Sequence, residues 1–183
     1  EKTRKFESAT RAYEKVYTDY PESQYVEEAL FRVGVNAERF YDFDKSIQTH
    51  LRLVKQFPDS VHRADSLFKA ALLQERTQQY RKAATNYERY AQLFPTRKDT
   101  AETYFRAGKM YEKLKDTRNQ IRVYERFAIE FGNDPEQNIR VITGLARIAE
   151  IRQQKGERRK SRQALQRVID EFNLRGMQPG SYE

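Results

Sequence analysis

The two histidines, His50 and His62, are the side chains best suited to acid–base or metal chemistry in this 183-residue chain. Their spacing is not that of a metal-binding pair, and the chain has no cysteine to supply a thiolate. His50 occupies a position that Tyr holds in other copies of a repeated pattern described below, so we interpret it as packed and hydrogen-bonded. His62 is interpreted as a surface residue beside Arg63. We predict no catalytic residues, no metal site and no cofactor.

Carboxylates are plentiful, but acid–base catalysis needs two of them in environments that separate their pKa values. The pairs Glu27–Glu28 and Asp42–Asp44 lie at expected helix ends, where solvated charge is the simpler interpretation. No glycine-rich phosphate-binding loop follows an expected strand. The sequence is therefore interpreted as that of a protein that is not an enzyme.

The composition favours an all-helical protein with a large charged surface. Charged residues make up 34% of the chain and hydrophobic residues 38%, and Trp and Cys are absent. The aromatic content of 13% argues against disorder, because disordered chains lack large apolar side chains. No apolar run approaches the roughly 20 residues of a membrane span, and no signal segment opens the chain. The absence of cysteine leaves both a periplasmic and a cytoplasmic location open.

A pattern that recurs about every 37 residues organises the chain. Each copy is an apolar helical segment that ends in an aromatic residue and, in three copies, a proline. The five endings are Tyr20-Pro21, Phe57-Pro58, Phe94-Pro95, Phe131-Gly132 and Phe172-Asn173. The last copy is displaced by about four extra residues near Pro135, close to one helical turn, so we expect a longer first helix in the final repeat.

A second amphipathic helical pattern lies between these segments, so each repeat reads as two helices that form a hairpin. The first helix carries one small residue per repeat: Gly34, Ala71, Gly108 and Ala149. The second helix carries a mostly small row, which comprises Ala9, Ser46, Ala83, Gln120 and Ser161. It also carries a bulky row, which comprises Tyr13, His50, Tyr87, Tyr124 and Leu165. Small residues facing large ones predict a close approach of the two backbones.

Residues at the repeat boundaries predict where the helices end and begin. Pro21, Pro58 and Pro95 are expected to end the second helices. The expected N-caps of the first helices are Ser23, Ser60 and Asp99, with Glu102 completing a capping box at Asp99.

The segment Tyr104-x-x-Ala107-Gly108-x-x-Tyr111, followed by a helix with Tyr124 and Phe127, resembles the tetratricopeptide repeat signature. The resemblance extends over nearly the whole chain. It implies a right-handed α-solenoid of antiparallel helical hairpins, with about four repeats and a leading helix, that binds other proteins. The chain departs from the usual pattern in its longer period, in Gln120, and in Gly132 and Asn173, which replace the closing proline.

The long period and the Tyr/Phe-Pro-x-Ser ending resemble the subgroup of bacterial envelope proteins that includes BamD and CpoB. This resemblance implies a periplasmic or envelope-associated location, with a cytoplasmic one still open.

The repeat register divides the chain into six segments. They are the second helix of a truncated N-terminal repeat (1–22), three repeats (23–59, 60–96 and 97–133), a longer last repeat (134–175) and a tail (176–183). Because the first segment matches only half a repeat, we expect the array to begin upstream of Glu1 and the tail to lead into a further segment.

In tetratricopeptide repeat proteins the first helices line a concave groove, and this assigns a candidate site by position. The groove residues are Glu28, Phe31, Val35, Glu38, Arg39, Asp65, Phe68, Leu72, Glu75, Arg76, Glu102, Phe105, Lys109, Glu112 and Lys113. Three Phe residues flanked by mixed charges suit an extended or helical peptide. The alternative is that each Phe packs between neighbouring repeats.

The excess of basic residues lies near the end of the chain, whose net charge is +8. The basic patch comprises Arg152, Lys155, Arg158, Arg159, Lys160, Arg162 and Arg167. Such a patch suits an acidic protein, a nucleic acid or an anionic membrane, or is simply a solvated face. The aromatic residues follow the packing period and not an exposed stacking platform, which disfavours nucleic acid.

The predicted function is a non-catalytic scaffold or adaptor that binds a partner protein or peptide in its groove, within a bacterial cell-envelope assembly. The alternative is a basic surface, residues 152–167, that binds nucleic acid or anionic membrane.

Overall fold

The computed structural model describes residues 2–174, with side chains described for residues 7–170. Nine α-helices and one short 3-10 turn account for most of these residues, and no strand occurs among them. The helices are α1 (Lys2–Asp19), α2 (Val26–Arg39), α3 (Phe43–Gln56), α4 (Arg63–Arg76), α5 (Tyr80–Leu93), α6 (Thr100–Lys113), α7 (Thr117–Phe131), α8 (Asn138–Gln154) and α9 (Arg158–Leu174). The all-helical prediction is confirmed, and the predicted tail of residues 176–183 lies outside the described residues.

Two compact units make up the chain, Glu1–Pro95 and Thr96–Glu183. In the first unit, each helix from α1 to α5 packs on the next one along the chain. In the second unit, α6 packs on α7, α7 on α8 and α8 on α9. Short loops join these helices, so successive helices run antiparallel, as predicted for a series of hairpins.

The turn between the two helices of each repeat passes through a single residue in the left-handed region of the backbone map. These residues are Tyr41, Gln78, Lys115 and Gly156, with φ angles of 60°, 61°, 54° and 73°. The amide of the following residue then bonds back to the last turn of the first helix, as in Asp42 N to Ala37 O at 2.9 Å. Gly156 is the one member of this set whose type favours the conformation, so the other three turns have no clear sequence signal.

The predicted ends of the second helices are confirmed. Helices α1, α3 and α5 stop shortly before Pro21, Pro58 and Pro95.

The predicted N-caps are wrong in part. Ser23 and Ser60 lie one turn before the first helices, where their hydroxyls accept the amides of Tyr25 (3.3 Å) and His62 (3.0 Å). Tyr25 and His62 are the actual N-cap residues of α2 and α4.

The capping box predicted at the start of α6 is also wrong. Asp99 is the N-cap residue, but its side chain makes no cap hydrogen bond. Glu102 instead pairs with Arg106 one turn later, at 3.0 Å. The carboxylates of Asp42 and Asp116 do cap α-helices, because they accept the amides of the residues three further on in α3 and α7.

The small residues lie where the two helices of a hairpin approach most closely. A Cβ added to Gly34 would lie 2.7 Å from the ring of His50, and one added to Gly108 would lie 2.2 Å from the ring of Tyr124. Ser46 Oγ donates to Gly34 O at 2.7 Å. The predicted contact of small residues with a bulky row is therefore confirmed in these hairpins.

The same contact recurs at the last hairpin in part. Ser161 Oγ donates to Ala149 O at 3.0 Å, as Ser46 does to Gly34. Leu165, however, is 45% exposed, so the expectation that it packs like the rest of the bulky row is wrong. Helix α9 packs on α8 in the described part of the chain, which leaves the Leu165 face of α9 towards solvent.

The extra residues of the final repeat form a 3-10 turn, Pro135–Gln137, that runs into a longer first helix. Helix α8 has 17 residues, whereas α2, α4 and α6 have 14 each. The predicted lengthening is confirmed.

The ring of Tyr124 lies between Gly108 and Gly144. The space for an added Cβ differs between these two glycines, and this difference gives a prediction. A Cβ at Gly144 would lie 3.3 Å from Tyr124, compared with 2.2 Å for Gly108. Gly108→Ala should lower the free energy of unfolding by about 1 to 3 kcal/mol, because the buried ring cannot move aside freely. Gly144→Ala should change it by less than about 1 kcal/mol, since the helix propensity of Ala offsets the tighter contact. Urea unfolding followed by circular dichroism measures both, and equal stabilities would contradict the packing described.

Candidate partner-binding faces

Phe31 of α2, the first aromatic groove residue predicted from sequence, is partly buried between two histidines. Its ring stacks on His62 with centroids 4.0 Å apart and meets the edge of His50 at 6.0 Å. His62 Nε2 lies 3.0 Å from Glu28 Oε2, so His62 connects the start of α4 to α2. The interpretation of His62 as a plain surface residue is wrong, because its ring covers one face of Phe31.

Phe68 of α4 occupies the equivalent place in the next hairpin. Its ring lies 6.3 Å from Tyr87 and 6.1 Å from Tyr90, both fully buried in α5. Phe68 itself is half-buried, so part of its side chain stays accessible.

Phe105 of α6 is 5% exposed and belongs to the core of the second unit. Its ring packs at 5.1 Å from Tyr124 and 5.3 Å from Phe127. The exposed neighbour Lys109 holds its ammonium 5.5 Å above the Phe105 ring. At this position the ligand-accessible group is therefore the lysine, with the aromatic ring beneath it.

Acidic groove residues in the first unit form ion pairs that bridge α2 and α4. Glu38 lies 3.3 Å from Lys69 and 3.5 Å from Arg76, and Arg76 is 58% exposed. Glu75 accepts a hydrogen bond from the buried Tyr87 hydroxyl at 2.6 Å. Arg39 extends from the exposed end of α2, and Asp65 is exposed at the start of α4.

The second unit repeats this bridging between α6 and α8. Glu102 lies 3.8 Å from Arg140, and Glu112 lies 3.7 Å from Arg147. Hydrogen bonding to Glu150, and then the charge of Glu112, raises the pKa of the Arg147 guanidinium. Lys113 ends α6 as an exposed residue.

Sequence reasoning missed Arg140, Arg147 and Lys69 as members of these faces. By the 41-residue displacement of the last repeat, Glu112 corresponds to Gln153 and Arg147 to Arg106, so the predicted groove positions held no signal for Arg147. The pairing of each cation with a particular carboxylate depends on side-chain conformations, and no sequence signal indicates it.

His50, beside Phe31, is a titratable group whose pKa is strongly shifted. It is fully buried, its Nδ1 lies 3.1 Å from Ser66 Oγ, and its Nε2 has no hydrogen-bond partner among the described residues. Burial, with a smaller effect from the charge of Lys69, lowers the pKa of His50 to about 4. This side chain stays neutral at physiological pH and acts as a packed ring, as interpreted from the sequence.

The basic patch follows the end of α8 and the first three turns of α9. Arg152 is half-buried and pairs with Glu125 of α7 at 2.6 Å, and Lys160 pairs with Glu157 at 3.2 Å. The remaining members are exposed: Lys155, Arg158, Arg159, Arg162 and Arg167.

The described residues were also compared with the geometry of a metal site and of a membrane span. They contain no cluster of three or more His, Cys, Asp or Glu side chains placed to hold a metal ion. None of their helices combines the length and apolar character that crossing a bilayer requires.

Sequence comparison decides the family to which these hairpins belong. Residues 28–60 and 65–97 match one model described as tetratricopeptide repeat, and residues 101–128 match a second model of the same description. Together the matched segments span more than half of the chain. The chain belongs to the tetratricopeptide repeat family. No curated protein sequence matches it.

Solved structures with the same fold cover nearly all of this tetratricopeptide repeat protein. A MamA crystal structure is 17% identical, with a TM-score of 0.54, and the match covers 94% of this chain and 92% of that one. MamA from Desulfovibrio magneticus RS-1 is 15% identical, with a TM-score of 0.52 and coverages of 93% and 88%. Nearly identical TPR-like repeats of a putative kinesin light chain from Podosopora anserina are 10% identical, with a TM-score of 0.55 and coverages of 94% and 90%. At these identities the likeness shows the fold, and the predicted α-solenoid class is confirmed.

The low pKa of His50 gives a prediction for the stability of the repeat array. The folded state holds His50 neutral to a lower pH than the unfolded chain does, so this contribution is complete above about pH 6.5 and is lost as the pH falls towards about 4. The expected loss is about 3 kcal/mol. His50→Tyr, which installs the residue found at this position in other repeats, should show a smaller loss. Urea unfolding at pH 7 and pH 4.5 compares the two proteins, and an identical fall in both would contradict the assignment.

Proposed function

We propose that the protein is a non-catalytic scaffold or adaptor that binds a partner protein or peptide on the exposed faces of its first helices, within a bacterial envelope assembly. The observation that carries the proposal is the exposed charge that the first helices of each unit present, on the same helices whose Phe residues are buried or partly buried. Tetratricopeptide repeats generally mediate protein–protein interaction, and the groove residues Arg39, Arg76, Lys109 and Lys113 are exposed on such faces.

The burial of the Phe residues changes how such a face recognises a ligand. Phe105 is core, and Phe31 and Phe68 each present only part of a ring. Apolar anchoring is therefore limited, and the exposed charged side chains of the first helices carry the recognition. Partner peptides should accordingly be polar and rich in charge, with small apolar groups that meet the exposed edges of Phe31 and Phe68.

A ligand carboxylate can replace the acidic member of a bridging ion pair at little cost in stability. Partly exposed pairs such as Glu38–Arg76, at 3.5 Å, contribute only about 0 to 1 kcal/mol to stability. Replacing Glu38 by a ligand carboxylate as the partner of Arg76 therefore costs the fold little. The hydrogen bond between Glu75 and Tyr87 keeps a second carboxylate at the same end of α4.

The envelope location is the finer part of the proposal. Its support is the long repeat period together with endings such as Phe57-Pro58-Asp59-Ser60, which resemble those of the envelope subgroup. In cells of the bacterium that encodes the chain, the full-length protein should be recovered with the periplasmic or membrane fraction. Recovery only with a cytoplasmic marker enzyme would contradict this part and leave the binding proposal untouched.

Peptide selection tests the binding proposal even when the natural partner is unidentified. Peptides selected from a displayed random library on the wild-type chain should bind Arg39→Glu/Arg76→Glu at least about tenfold more weakly, because the reversal repels ligand carboxylates. The matched control, Lys15→Glu/Lys55→Glu, changes the net charge equally on exposed positions of the second helices α1 and α3. Fluorescence anisotropy gives each dissociation constant. Equal affinity for the groove variant and wild type, or equal loss in the control, would refute a first-helix binding face in this unit.

A further inference from the structure

Helix α9 exposes two apolar positions that other second helices bury. By the register of the last repeat, Leu165 corresponds to Tyr124 and Ile169 to Ala128 of α7. Tyr124 and Ala128 are buried, whereas Leu165 and Ile169 are 45% and 50% exposed. In α3 of the first unit the same positions, His50 and Val54, are also buried.

A following helix provides the cover in both buried cases. Helix α4 packs on α3, where Ser66 meets His50 at 3.1 Å. Helix α8 packs on α7, where Gly144 approaches the Tyr124 side chain so closely that an added Cβ would lie 3.3 Å from it. The outer face of α9 therefore has the form of a surface that receives one more helix.

The chemistry of this face differs from that of α3 and α7, because two arginines precede the apolar pair. Arg158, Arg162, Leu165 and Ile169 follow the spacing of one helical stripe. A cleft of about 600 Å³ beside Ser161 is lined by Arg158, Arg162 and Leu165 from α9 and by the end of α8. Among the described side chains, neither arginine has an ion-pair partner, in contrast to Arg152 and its pair with Glu125.

We propose that the outer face of α9 binds an acidic amphipathic helix of a partner protein, whose carboxylates pair with Arg158 and Arg162 and whose apolar side chains cover Leu165 and Ile169. This surface is separate from the first-helix faces of the proposed function and does not depend on them. Guanidinium–carboxylate pairing gives the partner its register, and burial of the two aliphatic side chains gives affinity.

Charge separates this partner from a second copy of the chain and from a nucleic acid. A second copy of the chain would bring the same excess of basic residues to the contact, so it complements the face poorly. A nucleic acid would pair with the arginines but would leave Leu165 and Ile169 exposed to water.

A designed helical peptide tests the proposal directly. The fluorescein-labelled probe has about 17 residues, because one helix of this length spans the face. Since α4 and α8 run antiparallel to the helices they cover, the probe carries a Leu pair in its first half and a Glu pair, one turn apart, in its second half. A second probe carries Lys in place of the Glu pair. The Glu probe should bind the wild-type chain, and Arg158→Glu/Arg162→Glu should bind it at least about tenfold more weakly. The same variant should gain affinity for the Lys probe.

Two further variants distinguish binding at the proposed face from non-specific electrostatic attraction. Leu165→Asp should also weaken binding of the Glu probe, because it removes half of the apolar cover. The control Arg159→Glu/Arg167→Glu makes the same net charge change on exposed positions outside the stripe and should bind like wild type. Circular dichroism should show unchanged melting for all variants, since surface substitutions shift stability by only about 0.5 kcal/mol.

Four results would overturn the proposal. The first is no binding of the Glu probe to the wild-type chain, and the second is equal loss in the control variant. The third is a dimer, seen by analytical ultracentrifugation, that Leu165→Asp converts to a monomer, because a second copy would then be the occupant. The fourth is binding of a DNA oligonucleotide that depends on Arg158 and Arg162, is insensitive to Leu165→Asp, and is tighter than that of the Glu probe.

Discussion

The close approach of a glycine on a first helix to a ring on the second helix is the contact on which the rest of each unit depends. In the two hairpins where it is tightest, Gly34 faces His50 and Gly108 faces Tyr124, with no room for a Cβ. Because interiors are close-packed, a contact of this kind allows only one separation and one rotation of the helix pair. The next helix then packs on the outer side of the same ring, as Gly144 does on Tyr124. One ring thus fixes the positions of three successive helices.

The candidate binding faces follow from that constraint. With the first helices fixed, Phe31, Phe68 and Phe105 turn towards the rings of the second helices and are wholly or partly buried. What the first helices present outward is mainly charge, held in pairs such as Glu38–Lys69 at 3.3 Å. The aromatic residues therefore shape the face, and the charged residues are the groups that we propose to recognise a partner. In α9, Leu165 holds the position that His50 and Tyr124 hold in α3 and α7. No helix covers it in the described residues, and its side chain is exposed.

The features that sequence predicted well are those that repeat. A period kept over five segments locates the hairpins, because a packing unit needs the same residue sizes at the same places in every copy. Pro21, Pro58 and Pro95 end helices for a local reason, the missing amide. The contact of Gly108 with Tyr124 could be predicted because small and bulky rows recur in phase.

The features that sequence missed depend on three-dimensional neighbours. The stacking of His62 on Phe31 joins two hairpins, and nothing near His62 in the sequence indicates it. The helix starts were misplaced because Ser23 and Ser60 close a turn before the helix begins. The exposure of Leu165 was missed because the periodic pattern assumes a following helix at every copy.

Photo-crosslinking of a library-selected peptide tests most directly whether the fixed first helices form the recognition face. A photoreactive residue is placed at Arg39 or Arg76 on the first helices, and at Lys15 or Lys55 on the second helices, all of which are exposed in the first unit. The account predicts crosslinks to the peptide from positions 39 and 76 and none from positions 15 and 55. Crosslinks from positions 15 and 55, with none from 39 and 76, would contradict it.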